Sequence, residues 1–538
     1  MRVAAACGAV AMAGCDSNLP VSNTNVVDVS AAFQTADGAA QVAGKSFQGM
    51  FVGQYNTLNS IWPQTLNFGL ESGASVNNAG MNVRMGLPRD ILDNSLGSAN
   101  LTLQGNNQDF SVLTRFARQS ADAVKALDKL SDTPLAKART RAIGYLNIGY
   151  ALGQLSMIYD SASVITPSAT DEANFAPASV VNATALAMLD SAIAVGTDNT
   201  TNVSPAFPIP GASYINGTSL DAQTFVRMAR SLKARFRAGV ARTPAARAAV
   251  NWTEVLADAT NGITSNITVT LDPTLGWSVN GTIVQLTLYQ GWHYMPTPII
   301  GMADTSGAYN AYITSGALAS RNGYILIKTP DKRFPSGETR VLQNAQNTQE
   351  APSATLYFRN RPAGEDGTSA NARDGWSNSF YDHTRFRAIR NASGSGTWVL
   401  MESDEIGMLA AEALLQLNRP AEAIPLINDS RARNGLVAIP LTNGVNDPVP
   451  GGSGCVPRVP VAGGTATACG STFEAMKWEK RMETAFTGYS QWYIDSRGWG
   501  DLIVGTPLEW AVPIQELNSR LKPQYQNTNR AAVGTYGF

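Results

Sequence analysis

Residues 406–417 place apolar side chains at Ile406, Leu409, Ala410, Ala413, Leu414 and Leu417, a strict i, i+3, i+4, i+7, i+8, i+11 stripe. That spacing lines one face of an α-helix and cannot line one face of a strand, whose side chains alternate with a period of two. Asn418 is placed to cap a second helix, with Pro420 in its first turn, where a missing N–H costs nothing. Gly435, after Asn434, supplies a left-handed stop. Residues 408–436 are therefore predicted to form a helical hairpin, with Pro425 costing about 3 kcal/mol unless the helix kinks.

The same periodicity dominates the first half of the chain. Segments 110–130, 135–159, 178–195, 222–241 and 251–263 each read as helices, separated by breaks such as Ser131-Asp132-Thr133-Pro134 and Thr243-Pro244. Helix pairs with short breaks resemble tetratricopeptide units, although no regular repeat length emerges. Between 267 and 399 the pattern changes. Short β-prone pieces at 267–271, 282–289, 324–328 and 355–359 alternate with clusters of Gly, Asn, Ser and Pro. The predicted fold class is mainly α: tetratricopeptide-like helix pairs form a scaffold that carries a loop-rich insert with short strands. Long irregular stretches in a compact domain usually carry function. Aromatic residues concentrate there, at Trp277, Trp292, Tyr294, Tyr309, Tyr312, Trp376, Tyr381 and Trp398, with Tyr55 and Trp62 in an earlier loop.

Charge narrows the function classes. The 538 residues include 40 basic and 41 acidic ones, a net charge of -1, with no basic cluster, which argues against a nucleic-acid partner. Charged residues are only 15% of the chain, against roughly 25% in typical soluble domains, as suits an exported protein. His293 and His383 are the only histidines, and nothing beside either completes a catalytic triad or a ligand set. Both are expected to be structural or merely exposed, and neither a metal nor a cofactor is expected.

The N-terminus reads as an export leader. Arg2 precedes a small-residue apolar run over 3–13, closed by Ala13-Gly14-Cys15. Small residues before a cysteine suit a lipoprotein signal peptidase, so 1–14 are expected to be removed and Cys15 acylated. The alternative is a short secretory signal that contains a cysteine by chance. Acyl chains contribute about 0.8 kcal/mol per buried CH2, enough for several chains to anchor a protein firmly. No other stretch approaches the ~18 consecutive apolar residues of a membrane span. Residues 15–24 then read as a tether. Cys455 and Cys469 lie in a Gly/Pro/Val/Thr loop and are expected to form a structural disulfide in an oxidising compartment.

Several pieces in chain order resemble one family. Glu405, Ala411, Glu412, Ala413, Ile427, Asn428, Arg431 and Arg433 fall on an acidic helix, an A-E-A run and an I-N-x-x-R-x-R segment. Glu479, Arg481 and Glu483 follow an E-R-R-x-E-L pattern. Gly488, Trp492, Tyr493, Asp495 and Arg497 follow G-x-R-W-F-D-x-R-R. Pro513, Glu516, Gln526-Asn527, Asp331-Lys332-Arg333 and the helix piece at Arg141, Ala142 and Tyr145 add further matches. Together they resemble the SusD/RagB family of outer-membrane nutrient-binding lipoproteins. Glu402, Gln491, Ile494 and Ala511 depart from the family pattern. Glu405, Glu412, Asn428, Arg431, Glu479, Arg481, Glu483, Asp495 and Arg497 are read as structural signature, an ion-paired network that pins the C-terminal helices.

The resemblance implies a single SusD-like domain over 25–538: a helical-repeat part at about 105–265, a loop-rich ligand-binding part at 266–400, and a signature part at 401–538. It also implies a cell-surface lipoprotein that captures an oligosaccharide or other polymeric nutrient for a SusC-like TonB-dependent transporter, by binding and not by catalysis. Sugar rings present apolar C–H faces that pack on aromatic rings. Trp62, Trp277, Trp292, Tyr294, Tyr309 and Trp376 are the ligand-binding candidates. A peptide-capturing member of the family is the alternative, and a surface glycoside hydrolase with a carboxylate pair is a more distant one.

Overall fold

The computed structural model describes residues 29–55, 59–73, 80–95, 106–169, 174–200, 206–279, 294–346, 356–365, 375–461 and 466–538. The leader, Cys15, the tether, Trp292, His293 and the 282–289 piece lie outside them.

Six helices, α1 (Ala36–Tyr55), α2 (Asn106–Ala126), α3 (Pro134–Ile158), α4 (Ala178–Thr200), α5 (Ala222–Gly239) and α6 (Trp252–Thr260), pack each on the next. Side chains fix several starts. Thr133 accepts from the Ala136 N–H with Pro134 in the first turn, Asp221 accepts from Thr224, and Asn251 accepts from Glu254. Helix α3 sits at the centre, packed on α1, α2, α4 and α5, and every residue from Leu146 to Ile158 is buried. A helix apolar on all sides is stable only in such a position.

Helix α1 has no counterpart among the predicted helices. Four glycines (Gly38, Gly44, Gly49 and Gly53) lower its intrinsic propensity. Three of them serve packing on other segments: a Cβ at Gly44 would fall 2.0 Å from the Ser213 carbonyl oxygen, one at Gly49 2.1 Å from Phe116 Cζ, and one at Gly53 2.5 Å from Val112 Cγ1. These close approaches thus use the same residues that hide α1 in the sequence.

Helix α4 is long enough, and over 178–198 apolar enough in mean composition, to cross a membrane, although polar residues interrupt it. In the fold this helix buries Val181, Ala185, Leu189 and Ala192 and packs on α3 and α5.

Strands are short and paired two by two, all antiparallel: β1 (Ser161–Ser163) with β2 (Phe175–Pro177), β3 (Ile267–Leu271) with β6 (Gly396–Met401), β4 (Phe358–Asn360) with β5 (Tyr381–His383), and β7 (Arg458–Pro460) with β8 (Thr467–Cys469). The β3–β6 pair sets Val269 opposite Trp398 and closes the loop-rich insert at its base. Residues 324–328, expected to be β-prone, form no strand.

The predicted hairpin is α7 (Ser403–Gln416) followed by α8 (Pro420–Arg433). Gly435 adopts φ +74°, the left-handed stop, and Pro425 is accommodated inside α8. Asn418 does not cap α8. It is itself left-handed at φ +56°, and Arg419 occupies the cap position without a side-chain bond. Helices α9 (Thr472–Glu483) and α10 (Gln491–Trp499) complete the C-terminal layer, with α9 packed on both α7 and α8. Cys455 and Cys469 are joined as a disulfide.

Candidate functional site

The residues that carry the family resemblance meet in a buried, charge-balanced clamp. Arg235 of α5 binds Glu405 of α7 through Nε and a terminal nitrogen, both at 2.7 Å. Arg247 holds both oxygens of Glu412, at 2.8 and 2.6 Å, and reaches Asp495 of α10 at 3.1 Å. Lys480 of α9 sits 2.9 Å from Asp495 and 3.5 Å from Glu412. Arg333 gathers Asp331, Glu479 and Glu483 at 2.8, 3.0 and 3.2 Å, and Arg431 lies 3.6 Å from Glu479. Arg481 pairs with Asp501, and Arg497 donates to three backbone carbonyls, those of Met157, Leu508 and Gly239. Asn428 brackets Ile439, donating to its carbonyl and accepting from its N–H.

Burial disfavours the charged form of Glu483, but Arg333 and Arg385 outweigh it and hold the carboxyl below its ordinary value. Lys480 and Arg247 do the same for Asp495. Every carboxylate in this cluster faces a cation, so the arrangement is suited to pinning helices. None of these carboxylates is exposed, and at Glu479 burial outweighs Arg333 and Arg431 and raises the carboxyl above its ordinary value. Glu402, a departure from the family pattern, finds its own cation in Arg385 at 2.6 Å.

The described aromatic candidates are drawn inward. Trp62, Trp277, Tyr294, Tyr309 and Trp376 are all at most 5% exposed. Trp62 packs among Tyr55, Trp398 and Tyr489, and Trp277 against Phe47 and Phe51 of α1. Tyr309 stacks on Tyr312 and donates to the Pro298 carbonyl, while Trp376 lies under Arg89. Tyr294 lies under the Arg361 guanidinium, 3.4 Å from its ring centroid. Large rings recover the most free energy when buried, so loop aromatics are drawn into the core beneath the loops. His383 is likewise buried, 4.4 Å from the Phe486 ring centroid.

Two rings that the sequence reading did not single out as ligand contacts remain half-buried in the insert. Tyr324 and Phe380 lie 5.4 Å apart with planes inclined by 51°, and Tyr294 supports Tyr324 from below at 6.3 Å. Arg340 covers part of Phe380, 4.1 Å from its centroid, a cation–π contact that fixes the ring. Asn322, exposed, accepts from the Tyr324 N–H and so holds that segment in a turn. Tyr324 follows Asn322-Gly323, and a turn dipeptide is the one sequence signal that could have marked it.

No family model and no curated protein matches the chain. Solved structures do. A SusD-like protein from Bacteroides fragilis superposes with a TM-score of 0.54 at 13% identity, over 88% of this chain and 88% of that one. A SusD homologue from Parabacteroides distasonis gives 0.54 at 13% identity, over 85% and 84%. A SusD-like carbohydrate binding protein from Bacteroides fragilis gives 0.52 at 11% identity, over 94% and 95%. The chain has the SusD-like fold. Arg247 joins the helical layer of this SusD-like fold to its C-terminal layer, Arg333 joins the loop-rich insert to that same layer, and Tyr324 and Phe380 stand in the insert.

Proposed function

We propose that this chain is a lipid-anchored protein of the outer-membrane surface that captures an oligosaccharide or other polymeric nutrient. It delivers that cargo to a SusC-like TonB-dependent transporter. The observation that carries this reading is the SusD-like fold over nearly the whole chain, shared with a protein described as carbohydrate binding. The leader sequence ending at Cys15 supports export and anchoring. Chemistry at the insert supports capture without catalysis. Tyr324 and Phe380 offer inclined ring surfaces to the C–H face of a sugar, and Asn322 stands beside them to meet hydroxyls.

Affinity electrophoresis and calorimetry against a polysaccharide panel test the reading. Native protein is expected to be retarded by at least one glycan and to release no reducing sugar from it. Tyr324→Ala and Phe380→Ala should each weaken binding roughly tenfold. Binding to peptides alone, or release of sugar from the panel, would overturn the glycan-capture reading.

A further inference from the structure

A cavity of about 350 Å3 lies where the C-terminal segment folds back beside α10, and it shares no residue with the Tyr324–Phe380 surface. Three guanidinium groups line it: Arg242, Arg497 and Arg530. Arg242 is paired with Glu509, whose other oxygen is held by Asn527 and Asn529. Arg497 is 1% exposed, makes its three bonds to carbonyls, and leaves Nε without any partner. Arg530 bonds only the carbonyls of Arg89, Asp90 and Gly505. Among the described residues neither Arg497 nor Arg530 forms an ion pair; Glu509, paired with Arg242, attracts Arg497 only from beyond contact distance, so three cations share one carboxylate. Apart from these groups the wall is largely apolar, with Pro244, Leu502, Leu508 and Val533.

An uncompensated buried guanidinium is costly, and carbonyl dipoles offset that cost only in part. Burial pulls the Arg497 pKa down to about 10, which leaves it charged at neutral pH. Backbone bonds hold it in place all the same: Met157 lies in the last turn of α3 and Gly239 ends α5, so one side chain ties two helices to the tail. The remaining electrostatic demand is for an anion. A volume near the lower end of ligand pockets, roughly 300–1,000 Å3, limits its size. At roughly 30 Å3 for each water-sized group, about ten non-hydrogen atoms fit.

We propose that this cavity binds a small amphiphile with a carboxylate head, the head facing Arg497 and Arg530 and the apolar body lying against Leu502, Leu508 and Val533. The site goes beyond glycan capture and does not depend on it.

Calorimetry of the native chain with sodium hexanoate tests the site, with hexan-1-ol and sodium sulfate as comparators. Hexanoate is expected to bind one to one, and both comparators at least about tenfold more weakly. Arg530→Gln should weaken hexanoate roughly tenfold or more, by loss of a charge-assisted contact. Ala532 lines the cavity and is exposed, so Ala532→Trp should fill the mouth and abolish binding without disturbing the fold. Circular dichroism and glycan retardation should be unchanged in both variants. The proposal is overturned if native protein shows no hexanoate binding at about 10 mM, if hexan-1-ol or sulfate binds as tightly, or if Ala532→Trp binds hexanoate like the native chain.

Discussion

Arg247 donates two hydrogen bonds to Glu412, at 2.8 and 2.6 Å, although 165 residues separate them and both side chains are at most 2% exposed. The pair ties the short helix at Pro244–Ala248 to α7, and through Asp495 to α10. Removing one partner strands the other charge, so Arg247→Met is expected to cost about 3–5 kcal/mol in denaturant unfolding. Asp495 and Lys480 share the network, and a double variant Arg247→Met/Glu412→Leu should therefore lose less than the two single losses added together.

Close helix approach gives a second expectation. A Cβ at Gly153 of α3 would fall 2.2 Å from Phe236 Cδ2 of α5. Gly153→Ala should then destabilise by roughly 1–3 kcal/mol despite alanine's better helix propensity, with the loss read from the midpoint of thermal unfolding. Phe236→Leu in the same background should restore part of it.

Stability should fall as pH rises through neutrality. Glu71 is fully buried, accepts the Phe486 N–H at 2.6 Å, and is pushed by burial from 4.5 up to about 8. Burial also raises Asp109 from 3.8 to about 7, against the pull of Tyr489 and the Ile61 N–H. Both folded values lie above the unfolded ones, so the folded state keeps protons that the unfolded chain has already released. The contribution is complete below the unfolded values and is lost as pH rises through about 7 to 8. Each group adds a slope of up to about 1.4 kcal/mol per pH unit. Glu71→Gln should flatten the profile between pH 5 and 8, and chemical denaturation across that range measures it.

The disulfide joins Cys455, ahead of β7, to Cys469 at the end of β8, 14 positions apart. Replacing both cysteines with serine should cost about 3 kcal/mol on the chain-entropy model, and denaturation of the native sequence under reducing conditions should show an equal loss. Binding at the Tyr324–Phe380 surface should be unaffected.

Helices were legible where one residue class repeated at helical spacing. The Ile406 to Leu417 stripe, the Thr133-Pro134 start and the Asn251 cap are local, because each is decided within one or two turns of chain. Cys455 and Cys469 could be paired from the loop they share. Helix α1 escaped because Gly44, Gly49 and Gly53 answer to neighbouring segments and not to its own backbone. Asn418 escaped because a left-handed turn between two helices took the conformation that a cap would need.

The sequence by itself therefore determined a helical scaffold, its hairpin and a balanced set of charges. Tertiary structure alone decided which charges meet: Glu405 finds Arg235 170 residues away and Glu483 finds Arg333 150 away. It also decided which rings stay near the surface. Trp62 and Trp376 lie in the core while Tyr324 and Phe380 remain half-open. The physical reason is common to both. Helical periodicity is written in neighbours three and four residues apart, whereas burial and ion pairing are set by segments that meet only after the chain has folded.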